Sequence, residues 1–256
     1  MIPYKDDNPQ LLVPYATYTI ILVNIFCWLI FQGAGYGQIF NDAICKFGLI
    51  PLKISKSVAY QSSLCLEMNN SFFLNIFTSM YMHGGWMHII FNMLFLWVFG
   101  GNVEDTMGPF RFFIFYNIVG ICASLSHVYS DIASIIPMIG ASGAIGGVMG
   151  AYLILFPKVR VHIIVPLFII FWTFRVPAYF MLGYWILLQL FEGFMQINAN
   201  SSGGIAFWAH IGGFFAGCLL INIMKDKELL CDHEYYGWNK RSKAKEIWDN
   251  KKNQQK

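Results

Sequence analysis

Apolar residues in this chain come in long unbroken blocks, and the breaks between them are short, polar and rich in Gly, Pro, Asn and Lys. The first block runs from Leu11 to Phe31. A bilayer-spanning helix needs about 20 apolar residues, so this block predicts a first span. A cleaved signal would have a shorter apolar region behind a basic flank. Here Lys5 lies beside Asp6 and Asp7, and the block reads as a retained helix. Gly33 to Asn70 is a long connection rich in Gly, Ser, Lys and Asn, with apolar scraps such as Cys45 to Ile54 that place it against the membrane. Five further blocks predict spans: Trp86 to Val103, Arg111 to Tyr129, Met138 to Phe156, Ala178 to Met195 and Ile205 to Met224. Gly108-Pro109 and Pro157-Lys158 mark stops between them. Val161 to Trp172 is apolar but broken by Pro166, and reads as a segment hugging the membrane ahead of the fifth span. Gln196 to Gly204 is a polar loop, and no internal repeat points to an inverted-repeat transporter. The pattern therefore predicts an all-α integral membrane protein. A six-helix bundle over 11–224 carries a long outer connection at 33–85, a polar stretch at 1–10 and a basic tail at 225–256.

Composition agrees. The chain has 256 residues, 57% hydrophobic and only 12% charged, where a soluble domain has about a quarter charged. Nine of the 17 Lys and Arg follow Met224, in a tail that also holds six acids. This reads as a solvated cytoplasmic tail near anionic lipid, not a nucleic-acid patch. With the N-terminus cytoplasmic, the inside also holds Lys5, Arg111, Lys158, Arg160 and Arg175, and the outside only Lys46, Lys53 and Lys56. Cytoplasmic loops carry the Lys/Arg excess, so both termini are expected inside. Cys45 and Cys65 share the first connection and are able to pair if it lies outside.

This topology sends the second, fourth and sixth spans into the membrane from the outside. Their early residues therefore share one depth: His88 and Asn92, Ser142, and His210. Intramembrane polar residues are functional candidates by default. Ser142 lies among Gly140, Gly143, Gly146, Gly147 and Gly150. Ser142, Gly146 and Gly150 share one helix face, as do His210, Gly213 and Gly217. Small-residue stripes let membrane helices approach closely, and two facing stripes would bring Ser142 to His210. A neutral imidazole in hydrogen-bond reach activates a serine hydroxyl. His88 and Asn92, one helical turn apart, are both able to donate to an oxyanion, and the Ser142 N–H at a helix start is a third donor. Gly140 and Gly143 permit close backbone approach. Asp131 and Glu192 lie near outer helix ends but on neither the Ser nor the His helix, so a Ser-His dyad is expected, with modest turnover for want of a group that orients the base.

Gly140-Ala141-Ser142-Gly143, Ala209-His210-Ile211-Gly212-Gly213 and the run from His83 through His88 to Asn92 resemble, in order and spacing, the signature motifs of the rhomboid intramembrane serine proteases. The resemblance covers about Phe72 to Gly217 and the basic bacterial six-helix layout. It implies Ser142 as nucleophile, His210 as base, and Asn92 and His88 as oxyanion donors. It also implies cleavage of single-span membrane proteins near their outer end, with the fifth helix and its following loop as gate. Two departures stand out. The Trp-Arg pair of the family's first loop is Leu74-Asn75 here, which leaves Glu104 without its usual partner. Gly146 replaces the aromatic that many members pack on the histidine.

Each residue also has a plainer reading. A serine in a membrane helix back-bonds to its own helix, an Asn is interhelical glue, and a His packs helices. His83 reads as a loop–helix junction residue and His127 as an outer-end residue. Convergence at one depth favours the protease. No HExxH-like pair supports a metalloprotease, and a haem ligated by His88 and His210 gives Ser142 and its glycines no role. The expectation is an enzyme with no cofactor and no metal, in a bacterial-type cytoplasmic membrane, with its active site opening outward. The lipid bilayer and membrane-protein substrates are its partners, and nucleic acid is not. The alternative is a non-catalytic rhomboid-like escort factor; such relatives typically lack the serine or the histidine, and this chain has both.

Overall fold

The computed structural model describes residues 2–54, 64–67, 71–167, 170–198, 205–231, 233 and 236. In chain order the elements are β1 (Ile2–Asp6), α1 (Tyr15–Phe26), α2 (Gly37–Phe47), α3 (Leu64–Glu67), α4 (Phe72–Thr78), α5 (Trp86–Asp105), α6 (Pro109–Ser130), α7 (Ser142–Leu155), β2 (Arg160–Leu167), β3 (Ile170–Pro177), α8 (Ala178–Asn198), α9 (Phe207–Met224) and α10 (Lys227–Cys231). A π-helical turn, Cys27–Phe31, extends α1. Among the described residues, four helices are long and apolar enough to cross a membrane: α5, α6, α8 and α9. The apolar helices Tyr15–Phe31 and Ser142–Leu155 are shorter.

Helix α7 is the centre of the bundle. Every residue from Gly143 to Tyr152 is buried. Around it Phe99 of α5, Phe112, Phe115, Tyr116 and Val119 of α6, and Phe214 of α9 form the core. The α7–α9 contact is backbone on backbone. A Cβ on Gly213 would collide with the Gly143 carbonyl oxygen, one on Gly217 with that of Gly147, and one on Gly150 with that of Phe214. The two glycine stripes do face each other: Gly150 makes one of the close contacts, Gly143 and Gly147 add two more, and Gly146 sits further back, an added Cβ there lying 3.0 Å from the His210 carbonyl oxygen.

The expected start of the fourth span at Met138 needs correction. Met138 makes an isolated bridge to Leu49, and the Gly140 N–H donates to the Ser79 carbonyl at 2.9 Å. Gly140 has φ +130°, a conformation that L side chains avoid. These contacts hold 138–140 outside the helix, which begins at Ser142 itself.

The all-α expectation also needs correction. Arg160 to Pro177 forms an antiparallel hairpin, with Arg160 opposite Pro177 and Leu167 opposite Ile170. β1 pairs with its first strand, Ile2 opposite Ile164 and Asp6 opposite Val161. An apolar run of this length reads equally as buried helix or strand; the hydrogen-bonding partner supplied by the N-terminus decides it here. The sheet stands at one end of the bundle with the α5–α6 turn. There Glu104 accepts from the N–H groups of Ala16 (2.9 Å) and Thr17 (2.8 Å) and from the Thr17 hydroxyl (2.8 Å). Asp105 accepts from Leu11 N–H (2.7 Å) and Leu12 N–H (3.0 Å). Glu104 thus satisfies two free donors in the first turn of α1, where the helix dipole also favours negative charge, and Asp105 holds the chain that leads into it. Glu104 is fully partnered without the arginine. The same end holds Asp226, whose carboxylate meets Arg111 at 3.2 Å.

At the other end the long first connection folds as α2, α3 and α4. Cys45 and Cys65 form a disulfide, and Asn75 donates to the Gly48 carbonyl at 2.8 Å. Gln32 grips His83 twice, donating to its carbonyl (2.6 Å) and accepting from its N–H (2.8 Å). That clamp fixes the chain just before α5. Residues 199–204 of the expected polar loop, Lys56, and most of the 225–256 tail lie outside the described residues.

Candidate active site

Ser142 and His210 meet. The His210 Nε2 lies 2.7 Å from the Ser142 Oγ. Starting α7 at Ser142 makes its N–H one of the helix's unbonded donors, and the α7–α9 glycine contacts bring the backbones close enough for the imidazole to reach across. The other ring nitrogen, Nδ1, lies 2.7 Å from the Gln189 Oε1 of α8. A carbonyl oxygen only accepts, so Nδ1 carries the proton. The neutral ring then presents the Nε2 lone pair to the serine hydroxyl, as a general base requires.

The ring is held on one face as well. Trp185, one turn before Gln189 on α8, lies over His210 with centroids 5.8 Å apart and planes at 35°. A Cβ on Gly146 would sit 3.6 Å from the Trp185 ring and 3.0 Å from the His210 carbonyl oxygen. The aromatic missing at 146 is thus supplied from α8, through the space that Gly146 leaves open.

His88 accepts at Nδ1 from the Gly84 N–H at 3.2 Å, so its proton is on Nε2. A Cβ on Gly140 would lie 2.8 Å from that nitrogen and 3.5 Å from the Ser142 Oγ. Only the absence of a side chain at Gly140 keeps this notch open between the two. Asn92, one turn below His88, is buried, and its amide nitrogen has no hydrogen-bond partner. His88, Asn92, Ser142 and His210 all line one cavity of about 1060 Å³. Its mouth carries Ser130, Asp131 and Ser134, and its floor is apolar, with Phe91, Phe95, Ile145 and Met149. The cavity thus combines polar groups with apolar walls around the Ser142–His210 pair.

Residues 70–227 match the family described as Rhomboid domain. That is well over half of the chain. The chain belongs to the rhomboid family. Among curated relatives, Rhomboid protein 1, mitochondrial, of Saccharomyces cerevisiae is 30% identical over 156 residues, 57% of this chain and 40% of its own length. Rhomboid protease GluP of Bacillus subtilis is 30% identical over 215 residues, 81% of this chain and 35% of the relative. RHOMBOID-like protein 5 of Arabidopsis thaliana is 31% identical over 148 residues, 57% of this chain and 42% of the relative. The matches span less than half the length of these relatives.

As a rhomboid, the chain is a multi-pass integral membrane protein, and its relatives include a named protease. Within this rhomboid the other two histidines separate. His83 is fully buried ahead of α5, its ring edge-on to that of His88 at 5.2 Å. His127 on α6 lines the cavity. Asp131 borders the mouth, and Glu192 lies on α8 one turn beyond Gln189. Gln189 was missed by the sequence reading. The depth rule for early residues passes over it: α8 runs opposite to α9, so it is the later polar residues of α8 that reach the layer of the early ones of α5, α7 and α9.

Proposed function

We propose that this rhomboid is an intramembrane serine endopeptidase, and the observation that carries the reading is the 2.7 Å contact from His210 Nε2 to Ser142 Oγ inside a water-accessible cavity. His210 takes the Ser142 proton as the oxygen attacks a scissile carbonyl, then returns it to the leaving amine. The oxyanion receives the Nε2–H of His88, the amide of Asn92 and the N–H of Ser142. Water entering through the polar mouth releases the acyl group.

The membrane arrangement supports an intramembrane site. α7 has 14 residues, or about 21 Å at 1.5 Å per residue, against a hydrocarbon core of about 30 Å. One end of α7 therefore falls inside the bilayer, and with Lys158 and Arg160 drawing the other end to the cytoplasmic surface, that end is Ser142. The membrane domain is 11–224, with six spans, α1 and α7 being the short ones. The end with β1, the hairpin and α10 is cytoplasmic, since Lys5, Arg111, Lys158, Arg160 and Arg175 gather there. The disulfide between Cys45 and Cys65 supports the other end being outside. The substrates are single-span membrane proteins cut near their outer end, in a bacterial-type cytoplasmic membrane.

A fluorophosphonate probe tests the reading. The full chain in detergent should be labelled, and Ser142→Ala and His210→Ala should each abolish labelling. Labelling that survives Ser142→Ala would sink the assignment, and a folded wild type that takes no label would point to the escort alternative.

A further inference from the structure

We infer that Gln189 is a positioning residue for His210, completing a Ser-His-Gln relay built from three helices; this rests on the protease reading above. Each ring nitrogen of His210 has one partner, Ser142 Oγ at Nε2 and Gln189 Oε1 at Nδ1, both at 2.7 Å. Remove the Nδ1 partner and the imidazole is free to rotate or to move its proton to Nε2. Either change takes the lone pair away from the serine. In Ser-His-Asp enzymes a carboxylate holds this tautomer and stabilises the imidazolium. Gln189 supplies the acceptor without the charge. It orients the base and leaves the imidazolium less favoured than a carboxylate would.

The position of Gln189 gives the relay a second property. Gln189 and Trp185 are one turn apart on α8, one at the edge of the ring and the other over its face. α8 carries neither the nucleophile nor the base. It is also the least buried long helix: 28% of its apolar window is buried, against 39% for α9 and 56% for α5. The base is therefore held in register by the helix with the weakest hold on the bundle. The titratable groups that share the cavity with His210 are His88 of α5, His127 of α6 and Asp131 at the end of α6. α8 itself adds Glu192, exposed and one turn beyond Gln189.

The test is the rate of fluorophosphonate labelling of the full chain from about pH 5 to pH 9, with thermal unfolding measured on the same samples. Gln189→Leu should slow labelling roughly 10²-fold, the scale of a misplaced catalytic group, with little change in melting temperature. Gln189→Glu accepts at Nδ1 and should rescue the rate at alkaline pH. Its negative charge favours imidazolium, so the acid limb should move to higher pH by about one unit or more. Labelling of Gln189→Leu at the wild-type rate overturns the role, as does a folded Gln189→Glu no faster than Gln189→Leu. If Gln189→Leu does not fold, the Glu variant decides alone, and an unshifted acid limb overturns the role. Wild-type chain that shows no Ser142-dependent labelling overturns the protease reading instead, and the role with it.

Discussion

Asn92 combines burial with an amide nitrogen that nothing satisfies. Leaving a buried donor unpaired costs about 1–3 kcal/mol, so in the resting protein this group is a liability. Its value would come only when negative charge develops beside it. Asn92→Ala should therefore slow labelling roughly 10²–10³-fold, the measured scale for one oxyanion donor, while the melting temperature holds or rises. A parallel fall of rate and melting temperature would make Asn92 interhelical glue. Ser142, His210, His88 and Asn92 could be singled out from sequence because α5, α7 and α9 start at one end of the bundle, which brings their early residues to one cavity. Gln189 could not be found by that rule. It arrives late in a helix running the other way, and its partner is a ring nitrogen that no spacing in the chain reveals. The Gly146 departure was legible as a missing aromatic, but its compensation by Trp185 required knowing which face of α8 meets α9.

At the scale of elements, α7 and α9 form the joint on which the site depends. The Cβ of an alanine at 217 would collide with the Gly147 carbonyl oxygen, which is backbone and has no rotamer to yield. Overpacking of this kind costs about 1–3 kcal/mol. Gly217→Ala should lower the melting temperature by several degrees and reduce labelling with it, because the separation of α7 and α9 sets the Ser142–His210 distance. Gly183→Ala on α8 is the matched control. Nothing stands within 4 Å of its added Cβ, and alanine favours a helix interior by roughly 0.8–1.0 kcal/mol over glycine, so its melting temperature should hold or rise. Thermal unfolding followed by circular dichroism separates the two. The long helices were legible because apolar blocks bounded by Gly-Pro and Pro-Lys leave few alternatives. The first turn of the fourth span was not. Its pattern continues helical back to Met138, and only contacts with Ser79 and Leu49, distant in sequence, pull those residues out. The hairpin was hidden for a related reason: its neighbour, β1, carries Lys5 and Asp6 and reads as polar tail until the two segments are placed side by side.

The whole molecule divides its chemistry between two ends. One end holds the cavity, and the other ties the N-terminus, the α5–α6 turn, the hairpin and the start of the tail into one polar layer. Asp6 ties β1 to two helices there, accepting from the Asn102 amide of α5 at 2.9 Å and from the Tyr152 hydroxyl of α7. Burial pushes its carboxyl up from 3.8 to about 6, while the hydrogen bond from His162 holds the neighbouring Asp7 below the usual carboxylate range. The two act in opposite directions. The folded chain keeps the Asp6 proton to higher pH than the unfolded chain, so the stability linked to Asp6 is fully present below about pH 4 and is lost as pH rises through about 6. The stability linked to Asp7 is present above about pH 4 and is lost as pH falls further. Between about pH 5 and pH 7.5 only Asp6 of the pair titrates. A shift of about two units corresponds to a loss on the order of 3 kcal/mol between about pH 4 and somewhat above pH 6, of which roughly half falls between pH 5 and pH 7.5. Asp6→Asn keeps an acceptor for Asn102 and cannot ionise. Its melting temperature should match wild type near pH 4, exceed it increasingly up to pH 7.5, and stay level between pH 5 and pH 7.5 where wild type declines. A variant that is instead less stable than wild type at pH 7.5 would show that the donors of Asn102 and Tyr152 more than offset the burial of the carboxylate, and that the layer is held by the charge and not in spite of it.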